Sequence, residues 1–361
     1  MRVIVVGAGI VGAVTGYRLA AEGAEVLVVD ADRQGQATAA GAGVVFPWPV
    51  GPTGTGAKEF WWAAAARYPV LLSQLAADGE PDAGYARVGA MTVTTEESGL
   101  DPRILHEARD RDPSVGEIEV LPAGEPARRF PGLRDDLAGV FVSGAGRVDG
   151  RLMQSALLRA AERYGARQIG GDASLVTAGT RVTGVEIDGE VIGAHAVVVA
   201  AGAWTNDLCG PLGIAVPVEP QRGQIAHLSL SNVDTSAVPV VRTFSDHYML
   251  AFPGGKVVVG ATRETGAGFA YHKTAGGVRK ILDDALSVAP GLADAVLEDV
   301  RIGFRPLSTT GKPILCSPRN GLVIATGLGA SGLTLAPLAG TVAADLALGR
   351  TPSVDISAFG L

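Results

Sequence analysis

The sequence predicts an α/β fold in which a Rossmann-type dinucleotide-binding domain is combined with an α+β domain whose sheet is mainly antiparallel. A G-x-G-x-x-G pattern at 7–12 directly follows the β-branched run at 3–6. A second apolar run ends on Asp30, which gives the order strand, turn, helix, strand and acid. From residue 217 onward, apolar runs separated by glycine-rich turns indicate antiparallel strands.

Each residue of the first motif has a physical role in binding a dinucleotide. Gly7 permits the tight turn, Gly9 lets backbone N–H groups approach a pyrophosphate, and Gly12 lets the helix lie close to the sheet. The pyrophosphate is expected at the helix N-terminus. Asp30 lies 18 residues beyond Gly12, close to the spacing of about 20 at which a carboxylate binds ribose hydroxyls. The apolar start is therefore predicted to be a buried strand, not a secretory signal, and an NADP phosphate is disfavoured.

Composition limits the classes of function. At 361 residues, the chain is predicted to form two domains or one large α/β unit with an inserted cap. The balance of 30 basic and 37 acidic residues argues against a nucleic-acid surface. We expect no apolar stretch of about 18 residues free of charge, and so no membrane span. Cys209 and Cys316 stand far apart without a metal-binding pattern, which predicts no metal, no disulfide and a cytoplasmic protein.

The remaining elements are predicted in chain order from their apolar periods and turns. Residues 57–79 are predicted to be helical, Tyr85–Thr95 a strand, and 101–136 a small helical or irregular insertion. An amphipathic helix follows within 144–167, with Leu152, Ala156 or Leu157, and Ala160 on its buried face. Further strands are predicted near 182–185, at 196–202, 217–230, 248–262 and 300–315, with a helix at 275–289. Residues 320–349 read as strand, glycine-rich turn and helix through Leu346.

The stretch from Thr38 to Trp48 is rich in small residues. Small side chains allow a backbone to run close to an extended ligand, and they are equally typical of an ordinary flexible loop. Local composition leaves both interpretations open.

Several motifs, found in order, are specific to one family: GAGIVG with Asp30, TAAGAG at 38–43, GRVDG at 146–150, VVVAAGAW at 197–204, QRGQ at 221–224, VVVGATRE at 257–264, GFRPLSTTGKPI at 303–314 and TGLGASGLTLAPLAG at 326–340. On these motifs the chain resembles, over nearly its full length, the FAD-dependent D-amino acid oxidase family. It is most similar there to the glycine oxidase, sarcosine oxidase and D-amino acid dehydrogenase members.

The resemblance implies an FAD-binding domain formed by residues 1–85, 145–220 and 310–361, and a substrate-binding domain formed by 86–144 and 221–309. It also implies a set of cofactor-binding residues in the FAD domain. These are Gly7, Gly9, Ile10, Val11, Gly12, Asp30, Ala31, Thr38, Ala39, Ala40, Gly43, Val44, Ala201, Gly202, Trp204, Gly329, Ala330, Ser331, Gly332, Leu333 and Thr334.

In such enzymes the αC–H of an amine or amino acid passes as hydride to flavin N5, and the resulting imine is hydrolysed. The resemblance implies that Arg305 binds the substrate carboxylate, which suits the planar fork of a guanidinium. Without the resemblance, Arg305 would be interpreted as a surface or structural arginine. Tyr248 matches a family tyrosine that helps to hold the substrate, although an aromatic strand residue is also typical of a core. The turn at 329–334 is expected beside the flavin pyrimidine, where N–H groups stabilise negative charge.

The resemblance leaves the substrate and the electron acceptor open. Glycine, sarcosine, proline-like imino acids and D-amino acids all suit it, and the acceptor is O2 or, in a dehydrogenase, a quinone or partner protein. Val258 stands where monomeric sarcosine oxidases have an oxygen-activating lysine, which favours the dehydrogenase. Cys316 falls beyond the position of their flavin-linking cysteine, so FAD is expected to be noncovalent.

Other interpretations remain at this stage. A non-catalytic dinucleotide-binding protein is the alternative outside enzymes, and an oligomer is compatible with the sequence. His227 and His247 have weaker claims to a role in the site than Arg305 and Tyr248, and each is also compatible with a satisfied structural histidine. Lys256 and Arg263 are interpreted as ordinary surface or strand charges.

Overall fold

The computed structural model describes residues 1–48, 55–96, 99–245 and 247–361, with the side chains of 55–58 and 65 left out. These residues form a six-stranded sheet, an eight-stranded sheet and two three-stranded sheets, with helices packed between and around them. The mixed α/β class predicted from the sequence is confirmed.

The strands are β1 Arg2–Val6, β2 Glu25–Asp30, β3 Val44–Val45, β4 Tyr85–Ala86, β5 Ala90–Thr94, β6 Ile118–Leu121, β7 Ala138–Val142, β8 Gly146–Val148, β9 Arg167–Gly170, β10 Ala173–Ala178, β11 Arg181–Ile187, β12 Glu190–Gly193, β13 Ala196–Val199, β14 Val218–Ser229, β15 Val240–Thr243, β16 Tyr248–Phe252, β17 Lys256–Gly260, β18 Val296–Ser308, β19 Ile314–Arg319 and β20 Leu322–Thr326. The α-helices are α1 Ile10–Ala21, α2 Ala37–Ala40, α3 Thr55–Ala77, α4 Arg103–Arg111, α5 Glu125–Arg129, α6 Gly150–Arg163, α7 Thr205–Cys209, α8 Ala275–Val288 and α9 Gly332–Ala347. Short 3-10 helices lie at Pro113–Val115, Gly202–Trp204, Gly210–Leu212, Pro290–Leu292 and Gly329–Ser331.

The six-stranded sheet has the order β19-β20-β13-β1-β2-β9, with every neighbouring pair parallel except β19 and β20. Ile4 and Val197 pack with the β10–β12 sheet on one face, and Val5 and Val198 pack with the helices on the other. Burial on both faces explains why these strands are continuous apolar runs, as parallel strands usually are. The carboxyl ends of β1, β2, β13 and β20 therefore meet at one edge of the sheet.

The eight-stranded sheet has the order β18-β14-β17-β16-β15-β5-β7-β6. Only β5 and β15 pair in parallel, so the prediction of a mainly antiparallel second sheet is confirmed. Helix α8 covers one face through Ile281 and Ala285, which are buried. The residue boundaries predicted for the two domains stay a prediction.

The predicted helices match α3, α6, α8 and α9 to within a few residues at each end. The strand predicted over Tyr85–Thr95 is two strands in different sheets, because Gly89 adopts a left-handed conformation (φ 75°) between them. The insertion at 101–136 is also more ordered than predicted, since β6 within it pairs with β7 at the sheet edge.

The predicted buried face of α6 was wrong at one residue. Leu152 is 49% exposed, whereas Met153, Ala156, Leu157 and Ala160 are buried. These four follow the i, i+3, i+4, i+7 spacing of a helix face, which places Leu152 one position outside it.

One apolar stretch is longer than the sequence analysis predicted. Among the described helices, Gly329–Ala347 has the length and composition of a membrane span. Its apolar window is 61% buried inside the protein, and α9 packs there against α1 and α3. Burial of this kind is typical of a core helix.

Candidate active site

A long cleft lies between the carboxyl ends of the parallel strands and the eight-stranded sheet. One wall comes from the residues that follow β1, β2, β13 and β20, and the opposite wall comes from β14, β16 and β18. A crevice at the carboxyl ends of parallel strands is where α/β folds bind nucleotides.

The first turn of the cleft depends on two glycines. Gly7 has φ +105°, and a Cβ atom on it would lie 2.4 Å from the Ala200 carbonyl oxygen. A Cβ atom on Gly12 would lie 1.8 Å from the Gly7 carbonyl oxygen, so no other residue fits there. The close turn lets α1 begin at Ile10, whose N–H donates to Thr38 Oγ1 at 2.9 Å. The N-terminus of α1 therefore faces the cleft, as predicted.

Asp30 ends β2 with its carboxylate fixed by three donors. Oδ2 accepts from the Ala8 N–H at 2.5 Å, and Oδ1 accepts from the Asp32 N–H at 2.7 Å and from Gln36 Nε2 at 2.9 Å. These bonds hold the carboxylate at one end of the cleft, where it can accept from ribose hydroxyls.

Sequence reasoning missed Arg33 at the same end. Its guanidinium binds Asp172 at 2.7 Å and Asp207 at 2.6 Å, and it lies 6.0 Å from the ring centroid of Trp204. Arg33, Asp172 and Trp204 all line the cleft. These three side chains come from segments far apart in the chain, so no local sequence pattern predicts that they meet.

A second helix N-terminus faces the same cleft. The 3-10 turn Gly329–Ser331 leads into α9 at Gly332, and this turn lines the cleft wall. Thr334 Oγ1 donates to the Val44 carbonyl oxygen at 3.1 Å, and the Tyr68 hydroxyl donates to the Leu333 carbonyl oxygen at 2.5 Å. The partial positive charge of this helix end favours a negative ligand group.

At the other end of the cleft, Arg305 and Tyr248 meet. Arg305 Nη1 donates to the Thr262 carbonyl oxygen at 3.0 Å, and Arg305 and Tyr248 line the cleft side by side. Burial raises the pKa of Tyr248, so its phenol stays neutral and keeps its proton. Burial lowers the pKa of the Arg305 guanidinium, which nevertheless remains charged because arginine is not deprotonated in proteins.

Two glycines on the eight-stranded sheet make room for this pair. A Cβ atom on Gly223 would lie 2.4 Å from Arg305 Nη1, and a Cβ atom on Gly260 would lie 3.0 Å from the Tyr248 hydroxyl. Gly223 belongs to the QRGQ motif and Gly260 to VVVGATRE. Sequence reasoning used both motifs for recognition and did not assign either glycine a role.

Two further arginines line the substrate end of the cleft. Arg242 on β15 pairs across the sheet with Tyr248, and its guanidinium lies 5.8 Å from the Phe46 ring centroid. Arg263 follows β17 by three residues and also lines the cleft. Arg263 is exposed, in agreement with its interpretation as a surface charge, and no sequence pattern indicated that it also lines the cleft.

The structure brings most of the predicted site residues together along the cleft wall. These are Gly7, Gly9, Ile10, Val11, Asp30, Ala31, Thr38, Gly43, Val44, Ala201, Gly202, Trp204, Tyr248, Arg305, Gly329, Ala330, Ser331, Gly332, Leu333 and Thr334. Gly12, Ala39 and Ala40 lie outside the wall. Gly12 packs under the first turn, Ala39 accepts a hydrogen bond from Arg151, and Ala40 faces Gly303 on β18. The stretch 38–48, left open as loop or ligand-binding segment, contributes six of its eleven residues to the wall.

The histidines and cysteines lie away from the cleft. Of the two alternatives left open for His227 and His247, a role in the site is not supported, and His227 Nε2 and both ring nitrogens of His247 have no hydrogen-bond partner among the described residues. Burial lowers the pKa of each histidine to about 4. Burial raises the pKa of the Cys209 thiol to about 12 and that of Cys316 to about 11, and both are free.

The donor set suits an extended dinucleotide. Two helix N-termini lie between a carboxylate at one end and a cationic pocket at the other, and Gly7 and Gly43 keep the wall free of side chains. Across the described ranges, no group of three His, Cys, Asp or Glu side chains could hold a metal ion.

Comparisons with known proteins agree with this geometry. The family of DAO, FAD dependent oxidoreductases, matches residues 2–346. An uncharacterised oxidoreductase, YurR, from Bacillus subtilis (strain 168) is 44% identical over 361 residues, covering 99% of this chain and 97% of that protein. A glycine oxidase from Pseudomonas putida is 29% identical over 364 residues, covering 98% of this chain and 96% of that protein.

Among solved structures, iminodiacetate oxidase (IdaA) from Chelativorans sp. BNC1 matches with a TM-score of 0.96 at 41% identity. It covers 99% of this chain and 98% of that one.

Proposed function

The chain belongs to the family of FAD dependent oxidoreductases, and from that membership we propose that it oxidises the C–N bond of a small amino acid or amine that carries a carboxylate next to the nitrogen. FAD, when bound in the cleft, supplies the acceptor for the hydride that leaves the substrate carbon. The imine product is then hydrolysed to a carbonyl compound and an amine or ammonia.

The observation that carries the proposal is the pairing of Arg305 with Tyr248 opposite the dinucleotide side of the cleft. The guanidinium offers two parallel N–H donors to a carboxylate, and the neutral Tyr248 hydroxyl can donate a third hydrogen bond. Holding the carboxylate on the sheet side directs the neighbouring C–H bond toward the opposite wall. Orientation, not acid or base chemistry, is therefore the main task of these side chains.

The chain's own residues also suit the cofactor. Asp30 would bind ribose hydroxyls, the N-terminus of α1 would bind the pyrophosphate, and the N-terminus of α9 would lie beside the flavin ring. Positive potential at the turn 329–334 would stabilise negative charge on that ring. FAD is proposed to be noncovalent, since no histidine or cysteine lies among the described lining residues.

The substrate is narrowed by chemistry that two relatives share. Glycine and iminodiacetate, named for the two related oxidases, both contain a CH2 group between an amine nitrogen and a carboxylate. We place oxidation at that CH2 group. Sarcosine, proline-like imino acids and D-amino acids present the same α-amino carboxylate and remain candidate substrates.

A dehydrogenase that passes electrons to a quinone or partner protein is the second candidate. Val258, at the position of an oxygen-activating lysine in the resembling sarcosine oxidases, is 3% exposed within the sheet. An apolar residue there supplies no charge to attract or activate O2.

A cytoplasmic location is proposed from the two free thiols, because free thiols persist in a reducing compartment. Analytical sedimentation would measure the oligomeric state.

An anaerobic absorption spectrum of the purified protein tests the proposal. Flavin bands are expected, and glycine, sarcosine, iminodiacetate, proline or an amino acid enantiomer is expected to bleach them. Readmitting air then separates the oxidase, which reoxidises rapidly, from the dehydrogenase. Bands that no amino acid or amine bleaches would contradict the proposed reaction, and the absence of flavin would contradict the proposed cofactor.

A further inference from the structure

The end of the cleft that holds Tyr248 is lined by three guanidinium groups, from Arg242, Arg263 and Arg305. We propose that Arg242 and Arg263 form a second anion subsite, and that the favoured substrate is a secondary amine bearing two carboxylates. This inference rests on the proposed function and adds the substrate class to it.

The three arginines line the same cleft, and the sheet register relates their positions through Tyr248. Arg242 pairs with Tyr248 on β16, and Tyr248 pairs with Gly260 on β17. Gly260 has no side chain, so the space above it is filled by the Tyr248 ring. Arg305 reaches this space from β18 across Gly223, with its Nη1 on the Thr262 carbonyl oxygen. Arg263 is the next residue along the chain.

Arg263 is held toward the cleft by its two neighbours. The Thr262 hydroxyl accepts from the Gln224 N–H at 2.8 Å and donates to Glu264 at 2.7 Å. Glu264 forms an ion pair with the buried Arg222 at 2.5 Å. Because side chains alternate along an extended chain, both neighbours point into this network and Arg263 points the other way.

Arginines, and no carboxylates, are the charged residues among the described lining residues at this end of the cleft. The carboxylates among the described lining residues are Asp30 and Asp172, and both lie at the opposite end, where Asp172 binds Arg33. Against the larger opposing effect of burial, the positive charges of Arg305, Arg263 and Arg242 each act to lower the pKa of the Tyr248 phenol. A partly enclosed group of like charges is stabilised by bound anions more than by water.

Substrates with one and two carboxylates differ at this group. Glycine or sarcosine can neutralise the Arg305 guanidinium alone, whereas a second carboxylate on the nitrogen substituent can reach Arg242 and Arg263. A charged hydrogen-bonded pair of this kind corresponds to on the order of 10- to 100-fold in affinity. A site built for two anions rejects a ligand that leaves one subsite empty.

Two ethers test the subsite without turnover. Diglycolate has two carboxylates and methoxyacetate has one, and neither has an amine to oxidise. Binding to the flavin-loaded protein would be measured by calorimetry and by perturbation of the flavin spectrum. We expect diglycolate to bind on the order of 10- to 100-fold more tightly. Equal dissociation constants in the wild-type protein would overturn the subsite.

Variants then assign the residues. Arg263→Gln and Arg242→Gln are each expected to weaken the binding of diglycolate far more than that of methoxyacetate. The ratio of the two dissociation constants should then approach one. Arg279→Gln is the matched control, because Arg279 lies on the exposed surface of α8 and pairs with Asp283. A fall in both affinities by the same factor would contradict a second subsite. The wild-type ratio remains decisive where a variant does not fold.

The same set of measurements separates this inference from the proposed function. Flavin bleaching by sarcosine and iminodiacetate with equal efficiency, together with equal ether binding, would remove the subsite and keep the amine oxidation. Tight diglycolate binding that depends on Arg263, without bleaching by any amine, would keep the subsite and remove the proposed reaction.

Discussion

A Cβ atom on Gly223 would lie 2.4 Å from Nη1 of Arg305 and 2.6 Å from its Cζ, so β14 leaves only the space of a hydrogen atom beside that guanidinium. Gly223→Ala should therefore displace Arg305 without touching the dinucleotide side of the cleft. A misplacement of about 1 Å corresponds to roughly 100-fold in rate. We expect kcat/KM to fall by that order while the flavin content stays at the wild-type level.

Gly276→Ala is the matched control for this substitution. Gly276 lies in α8, and no atom outside its own helix lies within 4 Å of the place that a Cβ atom would occupy. Alanine there should raise stability slightly, by about 0.5–1 kcal/mol, and leave turnover unchanged. An unchanged kcat/KM in Gly223→Ala would show that the position of Arg305 does not limit the reaction.

Arg305→Lys tests the shape of the cation. Lysine keeps the charge and loses the planar fork that binds two carboxylate oxygens and the Thr262 carbonyl oxygen. We expect a loss of about 1.5–3 kcal/mol in transition-state binding, measured as kcat/KM with the best substrate. Arg301→Lys, on the same strand and outside the cleft wall, should retain activity. Equal activity of both variants would contradict the carboxylate role.

Asp30→Asn tests cofactor binding at the opposite end. The two carboxylate oxygens accept from the Ala8 and Asp32 N–H groups and from Gln36, and an amide cannot accept on both sides. We expect the FAD dissociation constant to rise by about 10- to 100-fold, measured by fluorescence after removal and readdition of FAD. Asp32→Asn is the control, because Asp32 is exposed and has φ 48°, which asparagine tolerates. Retention of FAD by Asp30→Asn at wild-type affinity would contradict this role.

His247 predicts a dependence of stability on pH. Burial lowers its pKa to about 4 from about 6.5, with Asp284 opposing and Lys280 reinforcing the shift. In this range the unfolded chain binds a proton that the folded protein does not, so the free energy of unfolding falls as pH decreases from 6.5 to 4. The contribution is on the order of 3 kcal/mol.

His247→Leu removes the titrating ring and both unpartnered nitrogens. Urea unfolding at pH 7.5 and pH 4.5 should therefore show a smaller loss for the variant than for the wild-type protein. At pH 7.5, where the ring is neutral in both states, the variant should be at least as stable. If the variant and the wild-type protein lost the same free energy of unfolding between the two pH values, a group other than His247 would be responsible for the pH dependence.

Much of the cofactor side of this protein follows from local sequence. The turn at Gly7 and Gly12, the acid at Asp30 and the helix that starts at Gly332 are consecutive patterns, and each one carries its geometry within a few residues. Steric exclusion at Gly7 and Gly12 leaves no alternative residue, which is why the pattern is informative.

The substrate side depends on register, which a single sequence does not reveal. Arg242 approaches Tyr248 only because β15 and β16 pair at those residues. Arg263 reaches the cleft because the Arg222–Glu264 ion pair fixes which way the chain alternates. In the sequence Arg263 is typical of a surface or strand charge, and no motif singles out Arg242. The same limit explains the error at Leu152, where one position along α6 separates the buried face from the exposed one.

The contact between α1 and α9 has a consequence for the order of events during synthesis. The Cβ of Val14 lies 2.6 Å from where a Cβ on Gly340 would be, and Thr15 Oγ1 donates to the Gly340 carbonyl oxygen at 3.3 Å. The two helix ends that suit the anionic cofactor thus come from segments translated more than 300 residues apart, since α1 begins at Ile10 and α9 at Gly332. On the ribosome, the apolar face of α1 that packs against α9 stays exposed until α9 has been translated. We therefore expect both helix N-termini to be available to a cofactor only after α9 has been translated.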